Sequence, residues 1–202
     1  IIKKHSTGIT KFISEPDSGI YDAMNKGVQL STGDIIAILN ADDIYASTTV
    51  LQQVANKMAN SGVDALLGDV AFFRKNPDKI IRRYNSRNFF PEKMAYGWMP
   101  AHPAMFLKRK IYESTGKFRT DYKIAADFEF IIRAFVGKNL RYEHFPEILV
   151  KMRTGGISTS GWRSKLLLNK EILKACRENG ISTNILKILS KYPAKLLGYF
   201  QK

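Results

Sequence analysis

The most chemically pointed feature of this 202-residue chain is four consecutive residues, Asn40-Ala41-Asp42-Asp43. They follow Ile35-Ile36-Ala37-Ile38-Leu39, a continuous apolar run of strand length, which reads as a strand covered on both faces. Acids directly after a buried strand lie at the carboxyl edge of a sheet, where α/β proteins hold their ligands. Carboxylate oxygens there suit Mg²⁺ or Mn²⁺, which in turn bind phosphate. The same four residues also suit a turn that caps a helix, and the pattern alone leaves both readings open. A second acid, Asp127, opens the most regular helical pattern in the chain: Phe128, Ile131, Ile132, Phe135 and Val136 share one face, and Gly137 follows. A carboxylate at a helix N-terminus is favoured in its ionised form and can accept a proton from a hydroxyl. Asp127 can equally be an ordinary N-cap, and Glu129 is the alternative base.

Composition narrows the partners. Lys and Arg number 32 against 18 Asp and Glu, a formal charge of +14, which favours nucleic acid, a phosphorylated small molecule or an acidic membrane surface. The 45% hydrophobic content excludes global disorder, and one cysteine, Cys176, excludes a disulfide framework or cysteine-based zinc site. No apolar run approaches the roughly 20 residues that span a bilayer. The chain opens on Ile-Ile-Lys-Lys-His, with neither an apolar leader nor an initiator Met, and is therefore expected to be a fragment or a processed product.

The elements that must position these acids follow from periodicity. Residues 9–13 alternate as a strand, ended by the turn-rich SEPDSG of 14–19, and Ile20 to Leu30 reads as a helix with Asp17 or Ser18 at its N-cap. After the 35–39 strand, a helix runs from Ser47 to Gly62 on the stripe Val50, Leu51, Val54, Ala55 and Met58, and Asp64 to Phe73 is the next strand. Strand, helix, strand, helix, strand describes an α/β fold with a mostly parallel, Rossmann-like sheet. Residues 72–93 carry seven basic and two acidic residues around a hairpin turn at Asn76-Pro77-Asp78. A strand at Ala104 to Leu107, a short helix through Tyr112 to Gly116, the Asp127 helix and a strand at 147–152 complete a core of residues 1–160. From Trp162 two amphipathic stretches with nine basic and two acidic residues make a tail of residues 161–202. It suits either docking on an anionic membrane or packing with a solvated basic face; Pro193 interrupts its last helix.

Residues 14–45, SEPDSGIYDAMNKGVQLSTGDIIAILNADDIY, resemble a stretch of the family 2 glycosyltransferases, with turn, Asn25-Lys26-Gly27 helix, Thr-Gly-Asp linker and acid pair in family order. The resemblance implies a GT-A fold and inverting transfer of a sugar from a nucleotide diphosphate sugar to an acceptor hydroxyl, saccharide or lipid-linked, in cell-surface polysaccharide or glycolipid synthesis. It implies a cytoplasmic enzyme, with peripheral contact to the inner membrane face as an option. The acid pair then looks like a variant DXD motif, with Asp43 the ligand of Mg²⁺ or Mn²⁺ and Asp42 at the ribose or assisting the metal. Asp17 and Asn25 fall among the donor-binding residues. Asp127, in Ala125-Ala126-Asp127-Phe128-Glu129, falls where the family carries its base. Arg133 lies about 240° round the helix from Asp127 and is assigned to binding or packing. His102, in Pro100-Ala101-His102-Pro103, also resembles a family element, with a role at the diphosphate or acceptor, or a structural one. His5 and His144 lack metal-ligand spacing.

The departures are as specific. The family's opening strands and Asp-Gly-Ser-Thr-Asp loop, which bind the base and ribose, have no counterpart here, and Met24 stands where Arg is frequent. An all-apolar 35–39 strand needs neighbours on both sides, so roughly 50–60 further residues are expected before Ile1, and the chain alone is expected to be poorly soluble or inactive. Two rival readings are an inactive remnant of the transferase fold and a basic nucleic-acid-binding module, the latter resting on charge and the aromatic-flanked 72–93 segment without a recognised motif.

Overall fold

The computed structural model describes residues 2–155 and 161–192. After a 3-10 segment (Ile2–Gly8), the chain forms α1 (Ile20–Leu30), β1 (Ile35–Ile36), β2 (Ile44–Tyr45), α2 (Val50–Ser61), β3 (Ala65–Phe73) and β4 (Ile80–Tyr84). There follow β5 (Met105–Lys108), α3 (Arg109–Thr115), α4 (Ala126–Phe135), β6 (Tyr142–Arg153), α5 (Gly161–Glu178) and α6 (Ile185–Leu189). The strands form one six-stranded sheet in the order β1-β5-β3-β6-β2, with β4 also pairing β3.

The α/β class holds, but the strand directions differ from the expectation. Only β3 and β6 pair in parallel; β1–β5, β5–β3, β3–β4 and β2–β6 are antiparallel. Two connections account for three of these four antiparallel pairs. β4 returns from β3 through the hairpin at Asn76-Pro77-Asp78, and β5 enters in reverse between β1 and β3 after a long connection instead of a crossover helix. β1, β3 and β6 still point the same way, so the sheet keeps a shared carboxyl edge. No strand forms at 9–13, where Phe12 and Ile13 are exposed; alternation without a partner strand makes no ladder. Of the five apolar residues at 35–39 only Ile35 and Ile36 pair, β5 is the one neighbour of β1 among the described residues, and Leu39 is exposed.

The sheet separates two apolar layers, and strand alternation assigns residues to each. Ala65 and Leu67 of β3, with Met105 and Leu107 of β5, face the layer formed by α1, α3, α4, α5 and α6. Leu66 and Val70, with Phe106, face Val50, Val54 and Met58 of α2. Ile172, Ala175 and Cys176 of α5 and Ile188 of α6 belong to the same cluster as Phe128 and Ile131 of α4. The described part of the basic tail therefore shares the core of residues 1–160 through Ile172, Ala175, Cys176 and Ile188, while Trp162 and Leu166 of α5 are exposed. Residues 193–202, including Pro193, and residues 156–160 lie outside the described residues. No helix among the described residues is long and apolar enough to cross a membrane.

Halfway along β3 the neighbour on one side changes from β5, paired with residues 65–67, to β4, paired with residues 70–73. Gly68 sits in that gap, where a Cβ would stand 2.6 Å from Cγ of the fully buried Leu149. Gly68→Ala is accordingly expected to destabilise the fold by about 1–3 kcal/mol. Combining it with Leu149→Ala should cost less than the sum of the two single changes, as read from urea unfolding of the single and double variants.

Candidate functional site

Register places the acid pair. Ile36 pairs with Leu107 in antiparallel fashion, so moving from Ile36 toward Asp43 moves back along β5 toward His102. Ile44 pairs with Lys151, near the end of β6. Asp42 and Asp43 thus stand at the carboxyl edge formed by β1 and β6. A turn holds them: the Asp43 amide donates to the Asn40 carbonyl at 3.1 Å, and the Asn40 side-chain amide donates to Asp43 Oδ2 at 3.0 Å. Asp43 is 6% exposed, whereas Asp42 is open to solvent. Burial pushes the Asp43 carboxyl above its ordinary range and the Asp42 charge adds to it; the Asn40 hydrogen bond and the Arg153 amide pull the other way. Among the described residues no basic side chain forms an ion pair with either acid. Nor does the pair cap a helix: Thr49 occupies the N-cap of α2.

Asp127 lies in the first turn of α4, two residues beyond the N-cap Ala125. Its Oδ1 accepts the Phe128 amide at 2.8 Å. The Tyr21 hydroxyl, from α1, donates to the Ile124 carbonyl at 2.5 Å and stands 3.5 Å from Asp127 Oδ1. Burial drives the Asp127 carboxyl up, opposed by His102, the Phe128 amide and the Tyr21 hydroxyl. The helix terminus therefore does not dominate this group; desolvation does. His102 occupies a 3-10 turn leading into β5, 8% exposed, its ring edge-on to Phe118 at 5.9 Å. Burial holds its imidazole below the ordinary range, against the pull of the Asp127 charge. His102 and Asp127 are thus near enough for each charge to shift the other, and burial disfavours the charged form of both.

The other sequence candidates have different surroundings. Asn25 is buried in a reciprocal clamp: its side-chain amide donates to the Phe118 carbonyl at 2.8 Å and its oxygen accepts the Phe118 amide at 2.8 Å. Arg133 forks onto Glu129, Nε to Oε1 at 2.7 Å and Nη2 to Oε2 at 2.8 Å, and also donates to the carbonyls of Thr115 and Lys117. The structure thus engages Arg133 with Glu129, which is 1% exposed and has both oxygens bound to the guanidinium. Asp17 is exposed, its Oδ1 accepting the Gly19 amide at 2.8 Å where the chain turns into α1 with Gly19 at φ 117°.

Three polar groups escape the sequence reading. Tyr21, on α1, is given no role by the sequence pattern. Asp69, fully buried in β3, accepts from Arg83 Nε at 2.9 Å, bonds His144 Nε2 at 2.8 Å and accepts the Ser86 amide at 3.0 Å. Its signal was a lone acid inside Ala65–Phe73, a run otherwise without charge. Glu171 of α5 accepts the amides of Lys123, Ile124 and Ala125 at 2.8, 2.9 and 2.9 Å; nothing in its local sequence points there.

Several known proteins are similar to this chain. A glycosyltransferase of Mycobacterium bovis named for PGL/p-HBAD biosynthesis is 30% identical over 166 residues, covering 79% of this chain and 59% of its own length. A Methanocaldococcus jannaschii protein described as an uncharacterised glycosyltransferase is 28% identical, covering 76% of this chain and 54% of its own. This chain therefore spans between half and three-fifths of the length of these relatives. Among solved structures, Staphylococcus aureus TarS 1–349 in complex with UDP-GlcNAc superposes with a TM-score of 0.62 at 15% identity, covering 85% of this chain and 53% of that one. That likeness carries the GT-A fold. The profile described as Glycosyl transferase family 2 matches residues 1–131, and with this match, the relatives and the fold in agreement, the chain belongs to glycosyl transferase family 2.

Proposed function

We propose that this chain forms the metal- and acceptor-facing part of an inverting glycosyltransferase that moves a sugar from a nucleotide diphosphate sugar to an acceptor hydroxyl. The observation that carries this reading is, in a family 2 chain, an acid pair after β1 that has no ion-paired basic side chain among the described residues, together with a desolvated carboxyl, Asp127, beside His102. A UDP-sugar is the proposed donor, supported by solved relatives in complex with UDP and UDP-GlcNAc. A saccharide or lipid-linked hydroxyl is the proposed acceptor, supported by the relatives named for PGL/p-HBAD biosynthesis.

The donor set fits a hard divalent cation. Asp42 and Asp43 supply oxygen ligands, and no cluster of three or more His, Cys, Asp or Glu side chains exists among the described residues to complete an all-protein cage. Two carboxylates plus phosphate oxygens and water is the habit of Mg²⁺ and its like. When bound there, Mg²⁺ or Mn²⁺ would offset the charge of the departing diphosphate. Asp127 takes the acceptor proton as the hydroxyl attacks the anomeric carbon, and its burial raises its basicity toward that task. Burial of His102 disfavours its cationic form, which limits how far it weakens the carboxylate as a base. Tyr21 fixes the turn before α4, so Asp127 does not swing with a loose helix end. Asn25 and Arg133 serve this site indirectly, by holding the 115–118 loop to α1 and α4.

Three outcomes test this in the full-length protein, by UDP release from UDP-hexoses. Asp127→Asn should lower turnover by roughly 10²–10⁴-fold while donor affinity by calorimetry is kept; wild-type turnover would refute the assignment. Asp43→Asn should remove the Mn²⁺-dependence of UDP binding, and unaltered Mn²⁺-dependence would show that the pair is not the metal site. In the rate profile, the acid-side fall should lie above the ordinary carboxylate pKa of about 4: protonation disables a base, and burial moves this one upward. A fall at or below that pH would contradict a desolvated base.

A further inference from the structure

The segment before α4 is held by a helix that the sequence assigned to a tail. Glu171, Lys174 and Glu178 lie at i, i+3 and i+7 on α5, hence on one face, and all three reach residues 119–125. Glu178 accepts from the Tyr122 hydroxyl at 2.7 Å and from Arg119 Nη1 at 2.6 Å, and Lys174 pairs with Asp121 at 2.7 Å. The Arg119 and Lys174 ion pairs are solvent-exposed and worth little singly. Glu171 differs. It is 7% exposed, and its two oxygens take three successive backbone N–H groups, Lys123 on Oε1 and Ile124 and Ala125 on Oε2. Hydrogen bonds to an ionised carboxylate are short and roughly twice as strong as neutral ones. The Ile124 residue is gripped from both sides: its N–H by Glu171, and its C=O by Tyr21 at 2.5 Å, the same hydroxyl that faces Asp127. Ala125, the next residue, is the N-cap from which α4 starts, and its carbonyl receives the Glu129 amide at 3.0 Å.

We propose that Glu171 is a positioning residue for Asp127: by gathering the amides of residues 123–125 it fixes where α4 begins and so where the Asp127 carboxylate stands relative to acceptor and donor. The inference rests on Asp127 being the base. Through it, α5 becomes part of the catalytic apparatus.

The test uses the full-length protein, with UDP-glucose and UDP-N-acetylglucosamine in the presence of Mn²⁺ as probes and UDP release as the signal. Glu171→Gln, checked for folding by circular dichroism and a cooperative melt, should lower kcat by about 10- to 100-fold, the scale of an ångström-level misplacement. Donor KM should stay within about two-fold, because only the transition-state geometry has changed. Added to Asp127→Asn, Glu171→Gln should produce no further loss, since it acts through that carboxylate. An unchanged kcat in folded E171Q overturns the proposal, as does the same factor lost in the D127N background. If E171Q does not fold, E171D, which keeps the charge with a shorter reach, undergoes the same comparison, and unchanged kcat there overturns it equally. Wild-type turnover in D127N alone would instead refute the base itself, so the two failures are distinct.

Discussion

An ionised carboxylate taken out of water costs several kcal/mol unless partners replace its hydration, and three such groups organise this molecule. Asp69 is fully buried, Glu129 is 1% exposed and Glu171 is 7% exposed. Each is satisfied by different chemistry, Glu129 from within its own helix and Asp69 and Glu171 from other parts of the chain. Glu129 takes the guanidinium fork of Arg133, which also binds the loop after α3. Asp69 takes Arg83 of β4, the His144 imidazole of β6 and the Ser86 amide. It thereby closes the gap where the neighbour of β3 changes, and Ser86 Oγ completes the joint by donating to the Gly68 carbonyl at 2.9 Å. Glu171 takes three backbone amides. Removing one partner in such a group leaves a buried charge uncompensated, which is why these joints act as fixed points.

The site is defined by contrast with them. Asp43 and Asp127 are also withdrawn from water, yet no cation neutralises either among the described residues. Asp43 has an amide side chain, and Asp127 has a tyrosine hydroxyl and the buried His102 imidazole. Burial therefore raises both carboxyls, and the proposed metal and base roles rest on that. In a chain of net charge +14, such a lack of pairing reflects the arrangement of the edge, not any shortage of basic side chains.

How much of this was legible follows from the range of the interactions. The α4 stripe and the central run of β3 are local patterns, and the structure has both. The acid pair was legible because it follows an apolar run directly. Strand direction was not: β5 enters between β1 and β3, and no local signal fixes the side or sense of insertion. Residues 9–13 alternate but find no partner strand. Asn25 and Arg133 read as candidate binding residues because both carry polar side chains in functional-looking motifs. In the structure both hold backbone groups of residues 115–118, which carry no side-chain signature, and Arg133 also forks onto Glu129. Glu171 was illegible for the same reason. His144, set aside for want of ligand spacing, proved to be needed by an acid 75 positions away.

The central claim is that one sheet edge holds a metal-bound diphosphate at Asp43 and a proton acceptor at Asp127. Anomalous scattering from crystals of the full-length protein grown with UDP and Mn²⁺ tests it most directly. The account predicts one manganese peak against the Asp43 carboxylate, bridged to the UDP phosphates, with the Asp127 carboxylate across the cleft and outside the coordination sphere. A manganese ion ligated by Asp127, or UDP phosphates bound away from Asp43, would contradict it.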